Sequence, residues 1–418
     1  MSAPASLMGF ARSSAKNGAV HLDMVTIALV LAITLLGLVM VTSASVSIAS
    51  QESGQPFYYL ERQLFLTLIG AACAALVFSV PTELLEKASV PLLAIAIGLL
   101  IVVLVPGLGH SVNGSRRWLR LAGANFQVSE LARVLVLIYI ASYAVRREAE
   151  LTESAMGLVK PLALLFFVSA LLLIEPDFGA ATVLFATGFG LLFLAGARLR
   201  YVIAMTALAL AGFGLLAVSS SYRMRRLTAF LDPWASKSSA GFQAVQGQIA
   251  LGSGGLLGVG LGKSVQKIYY LPEAQTDFIL AVIGEELGVL GITGVVVLYG
   301  MIAYAGLRTA RRAVGRYAKL LATGLTSLIL CQGILNIFVV LGIAPLTGVP
   351  LPFISYAPTN LCVMLAAVGV LLNISRPGAR RLKVVEVPER DAAADRDRRR
   401  RDRRARRAGT GSRRRAAS

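Results

Sequence analysis

Apolar runs recur along this chain at lengths and spacings that no water-soluble core requires. Ten stand out, at roughly 24–46, 63–80, 89–105, 128–145, 159–174, 178–196, 199–218, 278–306, 317–343 and 355–374. A helix crossing the hydrocarbon needs about 20 mainly apolar residues, and only helices or closed barrels satisfy their backbone there. The pattern predicts an all-α polytopic membrane protein with about ten transmembrane helices over residues 24–375, after a polar segment 1–23 and before a tail 376–418. No short apolar run followed by a small-residue cleavage site precedes the first segment, which is expected to stay in the membrane. Ten crossings put both termini on one face. Lys87, Arg146, Arg147, Arg198, Arg200 and the Arg308–Lys319 cluster fall on that face with the basic tail, which the positive-inside rule makes cytoplasmic. The opposite, external face then carries loops 47–62, 106–127, a turn at Glu175-Pro176, 344–354 and one large loop, 219–277.

Composition agrees: 56% of the 418 residues are hydrophobic and 15% charged, outside the range of soluble domains. Much of the net charge of +19 sits in residues 376–418, with 17 basic against 6 acidic residues. Its DRDRRRRDRRARR run has no apolar residues able to build a core, and the tail is expected to be disordered against anionic lipid, with no nucleic-acid partner. Cys73, Cys331 and Cys362 lie in apolar runs and read as buried small side chains, and two histidines exclude a histidine metal cluster. No internal repeat of the transporter kind is visible. A set of cations breaks the orientation rule by lying outside: Arg62, Arg116, Arg117, Arg120, Arg223, Arg225, Arg226, Lys237, Lys263 and Lys267. Lipid headgroups could account for any one of them; the set suggests a phosphate-bearing substrate.

Four stretches carry candidate chemistry. In residues 109–133, Glu130 and Arg133 are spaced to pair on one helix face, or Arg133 joins Arg116 and Arg117 around Trp118, whose ring could stack on a sugar. Either way, charge inside a membrane segment costs roughly 2.5–3.5 kcal/mol on insertion scales and has a task. Asp177, in EPDFG, suits the first turn of a helix with Pro176 at its first position. The glycine-rich run 252–264 matches neither nucleotide-binding pattern, so no nucleotide cofactor is expected, and it reads as close backbone packing against the membrane surface or a lipid phosphate. In LPEAQTDFILAVIGEELG, residues 271–288, Thr276 is the expected N-cap with Asp277 in the first turn at the outer surface. Glu285 and Glu286 then lie about 12 Å deeper, paired with arginine or backbone groups inside the bundle. Capping alone also accounts for Asp277. The Pro/Gly-dense run 342–360 suggests irregular backbone lining a cavity, with Gln332 and Asn336 reaching toward it from one helix face.

These stretches, GSRRWLRLAGANFQVSELAR, EPDFGAATVL, YRMRRLTAFLDPW, the segment from GFQAVQGQ to IGEELG, and GILNIFVVLGIAPLTGVPLPFISY, resemble the SEDS family (shape, elongation, division and sporulation) over about residues 24–375. Its members FtsW and RodA polymerise glycan strands, and the YLPEA-TDFI and RRL-AFLDPW wording is closer to the division-type FtsW branch. The resemblance implies a peptidoglycan glycosyltransferase acting on lipid II at the external face of the plasma membrane, at the division septum. Its partners would be a class B penicillin-binding protein and other division proteins. It puts the essential carboxylate on Asp277, as general base or as holder of a divalent cation, Mg or Mn. Arg62, Arg116, Arg117, Trp118, Glu130, Arg133, Gln275, Gln332, Asn336, Ser355 and Tyr356 would line the substrate site. The sequence departs from the family in having Arg133 for Lys, Gln275 for His and Ala357-Pro358 for Gly-Gly. A lipid II flippase, or a scaffold with weakened catalysis, are the alternatives. Ligand groups near the bilayer midplane would favour the flippase.

Overall fold

The computed structural model describes residues 23–376, apart from 53, 113–114, 122–123, 219–223, 225–227, 240 and 268–270. The N-terminal segment, the basic tail from 377 onward, and Arg223, Arg225 and Arg226 lie outside the described residues.

Every predicted run is occupied by a helix. These are α1 (Met24–Glu52), α2 (Tyr58–Phe78), α4 (Ser89–Leu104), α5 (Val128–Arg146), α7 (Ala155–Ile174), α8 (Phe178–Leu194), α9 (Leu199–Val218), α11 (Ile279–Arg312), α12 (Arg316–Val340) and α13 (Pro358–Ile374). Shorter helices α3 (Thr82–Lys87), α6 (Glu148–Glu153) and α10 (Phe242–Gly254) lie between them. Six of the described helices are long and apolar enough to cross a membrane unaided, and four more are apolar but shorter. Their outward faces carry exposed Leu, Ile, Val and Phe, such as Leu68, Leu76, Ile95 and Ile203, as lipid-facing positions do. Exposure of this kind makes the chain a polytopic membrane protein.

At the centre stands α5, with 15 of its 19 residues buried. It packs against α4, α8, α12 and α13, while α2 lies along α13 and α1 along α11. Small residues permit the close approaches: a Cβ on Gly70 or Gly369 would collide with α13 or α2 respectively.

Two features depart from the expected all-helical pattern. The loop before α5 folds into an antiparallel sheet of β1 (Gly109–Val112), β2 (Ser115–Leu121) and β3 (Ala124–Gln127), in that spatial order. Trp118 stands opposite His110 on one side and Gln127 on the other. The second departure is that α11 is two helices. Gly288, at φ 66° and ψ −161°, breaks it after Leu287, a conformation that favours glycine. A Cβ there would come within 2.5 Å of the Gly258 nitrogen and the Leu256 oxygen. The freed carbonyls of Glu285 and Glu286 accept from the N–H groups of Val259 (2.9 Å) and Gly260 (3.1 Å), while Val289 and Leu290 donate to Gly255 and Leu256. The glycine-rich run is therefore close backbone packing, but its partner is the break in α11 and not the membrane surface or a lipid phosphate.

This corrects the expected setting of Glu285 and Glu286. They end a short buried half-helix, 279–287, and do not lie deep in a continuous span. The 24 residues from 289 to 312 that follow are enough to cross the hydrocarbon at 1.5 Å each. Neither pairs with an arginine; the backbone alternative holds for Glu285, which accepts from the Val265 N–H (3.0 Å) and from the Ser264 hydroxyl. Glu286 pairs with Lys267 at 2.6 Å and with the Ser43 hydroxyl of α1. Lys267 thus leaves the set of external cations waiting for an anion, since it is 4% exposed and already paired.

Candidate active site

Asp277 lies in a chain of turns, 272–278, that leads into α11. Thr276 is not the cap. Phe278 occupies that position, and the Thr276 hydroxyl lies instead 3.0 Å from the Glu273 carboxylate and 3.1 Å from that of Asp277. Glu273, at φ 53°, adopts a backbone conformation rare outside glycine. Its carboxylate shares one hydroxyl with Asp277, a pairing that residue spacing alone does not disclose.

Around this turn the chain from 347 to 356 runs as irregular backbone held by side chains. Asn336 donates from one amide to the carbonyls of both Asp277 (2.7 Å) and Val349 (2.8 Å). Gln332, one helical turn earlier, donates to Pro350 at 3.0 Å. The Ser355 hydroxyl accepts from Leu351 N–H at 2.8 Å, and Tyr356 N–H donates to the Gln275 carbonyl at 2.9 Å. Gly348, at φ 68°, passes so close that a Cβ would stand 3.7 Å from an Asp277 carboxylate oxygen. Arg62 reaches the Tyr356 hydroxyl and lies over the Tyr58 ring. Asp277, Gln275, Gln332, Asn336, Ser355, Tyr356 and Arg62 are thereby one connected group. The acceptor oxygens of Gln275, Gln332 and Asn336 are buried with no hydrogen-bond partner, so the group keeps polar capacity that its own fold does not use.

The other named residues do not assemble as one arginine cluster around Trp118. Alternation along β2 places Arg116 and Trp118 on one face and Arg117 on the other. Arg117 points to Asp177 at 3.5 Å. Asp177 is itself the N-cap of α8, accepting from Ala180 N–H at 3.0 Å, so Pro176 precedes the cap and is not the first helical residue. Ser129 and Gln127 also donate to Asp177. Arg133 is buried in an ion pair with Glu130, whose carboxylate also takes a 2.6 Å bond from Asn360. The ion-pair reading of Glu130 and Arg133 holds. Beside Asn360, the Thr359 hydroxyl accepts from Gln127 N–H, which ties this pair to the Asp177 cluster. Pro358 falls at the start of α13, where a missing N–H leaves no intrahelical bond unmade.

One acid escaped sequence reasoning. Glu175 is fully buried between α7 and α8, and neither carboxylate oxygen has a partner. Burial, reinforced by the neighbouring Asp177 charge and opposed by Arg117, pushes its carboxyl up to about 9. The unfolded chain ionises it near 4.5, so unfolding releases a proton between these values and stability falls as pH rises through that window. Glu175→Gln should leave the thermal midpoint in detergent nearly unchanged at pH 4.5 and raise it at pH 8. Parallel pH profiles for the two proteins would refute the assignment.

The family model for FtsW, RodA and SpoVE, described as cell cycle protein, matches residues 23–379. The chain belongs to that family. Among FtsW relatives named probable peptidoglycan glycosyltransferase, that of Thioalkalivibrio sulfidiphilus is 46% identical over 350 residues, covering 83% of this chain and 88% of its own. The Legionella pneumophila FtsW is 43% identical over 348 residues, 82% and 88% of the two chains. The rod shape determining protein RodA of Thermus thermophilus superposes with a TM-score of 0.63 at 27% identity, covering 85% of this chain and 97% of RodA. A chain from a peptidoglycan synthase complex that coordinates polymerisation and crosslinking superposes at 0.68 and 26% identity, covering 85% and 98%.

Proposed function

We propose that this chain is the peptidoglycan glycosyltransferase of a division-type FtsW system, polymerising lipid II at the external face of the bacterial plasma membrane. The observation that carries the reading is the Asp277 carboxylate beside the 347–356 run, in a chain that shares the FtsW, RodA and SpoVE family over 23–379. In the reaction, the 4-hydroxyl oxygen of an acceptor sugar bonds to the anomeric carbon of a lipid-linked donor. The bond from that carbon to the diphosphate breaks with its electron pair, and undecaprenyl diphosphate leaves.

Asp277 takes the hydroxyl proton as general base. Arg62 at Tyr356 and Arg116 on the sheet supply positive charge for the diphosphate, while Arg117 is turned to Asp177 and holds the sheet to α8. Trp118 offers an apolar face to a sugar. Glu130 and Arg133, buried and paired, act by holding α5 to α13. Gln275, Gln332, Asn336, Ser355 and Tyr356 fix the turn that carries Asp277 and the strand-like run opposite it.

A divalent cation such as Mg or Mn fits this chemistry: Asp277, Glu273 and the Thr276 hydroxyl present hard oxygen donors around one point. Such an ion is commonly held by one or two carboxylates and completed by substrate phosphate. It would screen the diphosphate as charge builds on the leaving group.

Purified protein given lipid II, alone and with a class B penicillin-binding protein as the crosslinking partner, should yield glycan strands on a gel. Translocation of lipid II in proteoliposomes without any polymer would replace this reading with a flippase.

A further inference from the structure

The YRMRRLTAFLDPW motif plays no part in the site as built so far, yet its end, residues 229–234, lines a recess near the Asp277 turn. Asp232 closes a turn by accepting from the Ala235 N–H at 3.0 Å, and Ser236 donates back to the Pro233 carbonyl. A Cβ at Gly241 would strike that same carbonyl, so the turn is packed shut from behind. The result is that Trp234 is presented on a braced loop with 54% of its surface exposed.

Trp234, Phe230 and Pro233 form one wall of a cavity of about 280 Å³ whose other walls are Ala244 and Gln248 of α10 and the Val339–Leu346 end of α12. Gly342, at φ 73°, makes room for the Gln248 amide, whose nitrogen would lie 2.9 Å from a Cβ there. Flat aromatic surface, a primary amide and small apolar side chains together suit a pyranose ring bearing an acetamido group. An isoprenoid chain would leave the amide facing hydrocarbon. The volume sits just below the range of ordinary small-molecule sites and matches a single ring.

Position points the same way. Leu346 lines the cavity, and Gly348, two residues further along, passes so near Asp277 that a Cβ there would stand 3.7 Å from its carboxylate. From the other side Phe278 packs on Gly247, the neighbour of Gln248, at 2.7 Å from where its Cβ would stand. Gln243, in the same helix, donates to Pro272. The cavity is thus joined to the Asp277 turn from two sides.

We propose that this recess is a saccharide subsite which holds an N-acetylhexosamine ring of the glycan strand next to the ring that reacts; the proposal rests on the polymerase reading above. The full chain labelled with 5-fluorotryptophan has two ¹⁹F resonances, from Trp118 and Trp234, assigned by substituting each in turn. Titration with a β-1,4-linked N-acetylglucosamine tetrasaccharide should shift the Trp234 resonance saturably. Affinity, read by calorimetry, should fall about tenfold in Trp234→Ala and in Ala244→Phe, which fills the recess, and recover in Trp234→Phe. On lipid II the first two variants should give shorter strands at a raised KM, while the third resembles wild type. An unmoved Trp234 resonance, or one moved by farnesyl phosphate and not by the saccharide, overturns the subsite even if wild type polymerises lipid II. Saccharide binding that obeys this variant pattern in a protein unable to polymerise lipid II would retain the subsite and remove the polymerase reading.

Discussion

Asp277→Asn should lower the rate of glycan formation from lipid II by about 10²–10⁴-fold, the range a positioned general base contributes. The substitution keeps side-chain size and can still accept from the Thr276 hydroxyl, so it removes the base while sparing the turn. Its tie to α12 runs through the backbone carbonyl, which accepts from Asn336 at 2.7 Å and is indifferent to the side chain. Elution volume and thermal midpoint should therefore match wild type. Strand synthesis within threefold of wild type would rule Asp277 out as the base and as the main holder of a cation. Glu273→Gln tests the neighbouring carboxylate. A cation shared between the two predicts that this variant needs a higher Mg concentration for the same rate, whereas a base acting alone predicts no shift.

A stability effect of comparable weight is expected from Lys267→Ala. Glu286 has no exposed surface, and among the described residues its charge is met by Lys267 and the Ser43 hydroxyl. Removing the ammonium leaves a buried carboxylate uncompensated, at a cost of about 3–5 kcal/mol. Replacing both partners, as in Lys267→Met with Glu286→Leu, should recover most of that loss, because the desolvation penalty disappears along with the attraction. Thermal midpoints of the two single variants and the double variant form the cycle that isolates the pair. A cost below about 1 kcal/mol for Lys267→Ala would show that the pair contributes no more than an exposed one.

The ten apolar runs were legible because hydrocarbon imposes length and composition on any helix that crosses it, whatever the helix packs against. The Glu130–Arg133 pair was legible for a similar reason, since residues three apart on a helix meet by geometry. Lys267 was not. Its partner lies 19 residues further on, and the run that brings Lys267 back to α11 turns on four positive-φ glycines that precede it, at 255, 258, 260 and 262. Gly288 was equally obscure: in GEELGVLG a glycine reads as one tolerated inside a helix, and only the loop packed on it reveals the break. The sheet at 109–127 went unread because its strands are short, one carries an irregular register, and Arg-Arg-Trp-Leu-Arg has no clean apolar alternation. For the site, the sequence named Gln332 and Asn336 correctly as reaching the 342–360 run. Their targets, the carbonyls of 277, 349 and 350, are backbone atoms that no residue pattern can specify.

The break in α11 bears on what a membrane must do besides hold enzymes. An interrupted helix usually recruits water to its unmet amides and carbonyls, and a file of water molecules conducts protons. Here the carbonyls of Glu285 and Glu286 and the N–H groups of Val289 and Leu290 are all taken by the 255–260 backbone. These four groups therefore need no water at the break. The Asp277 turn can thus be joined to a membrane-crossing rod through an interruption whose freed backbone is paired within the protein.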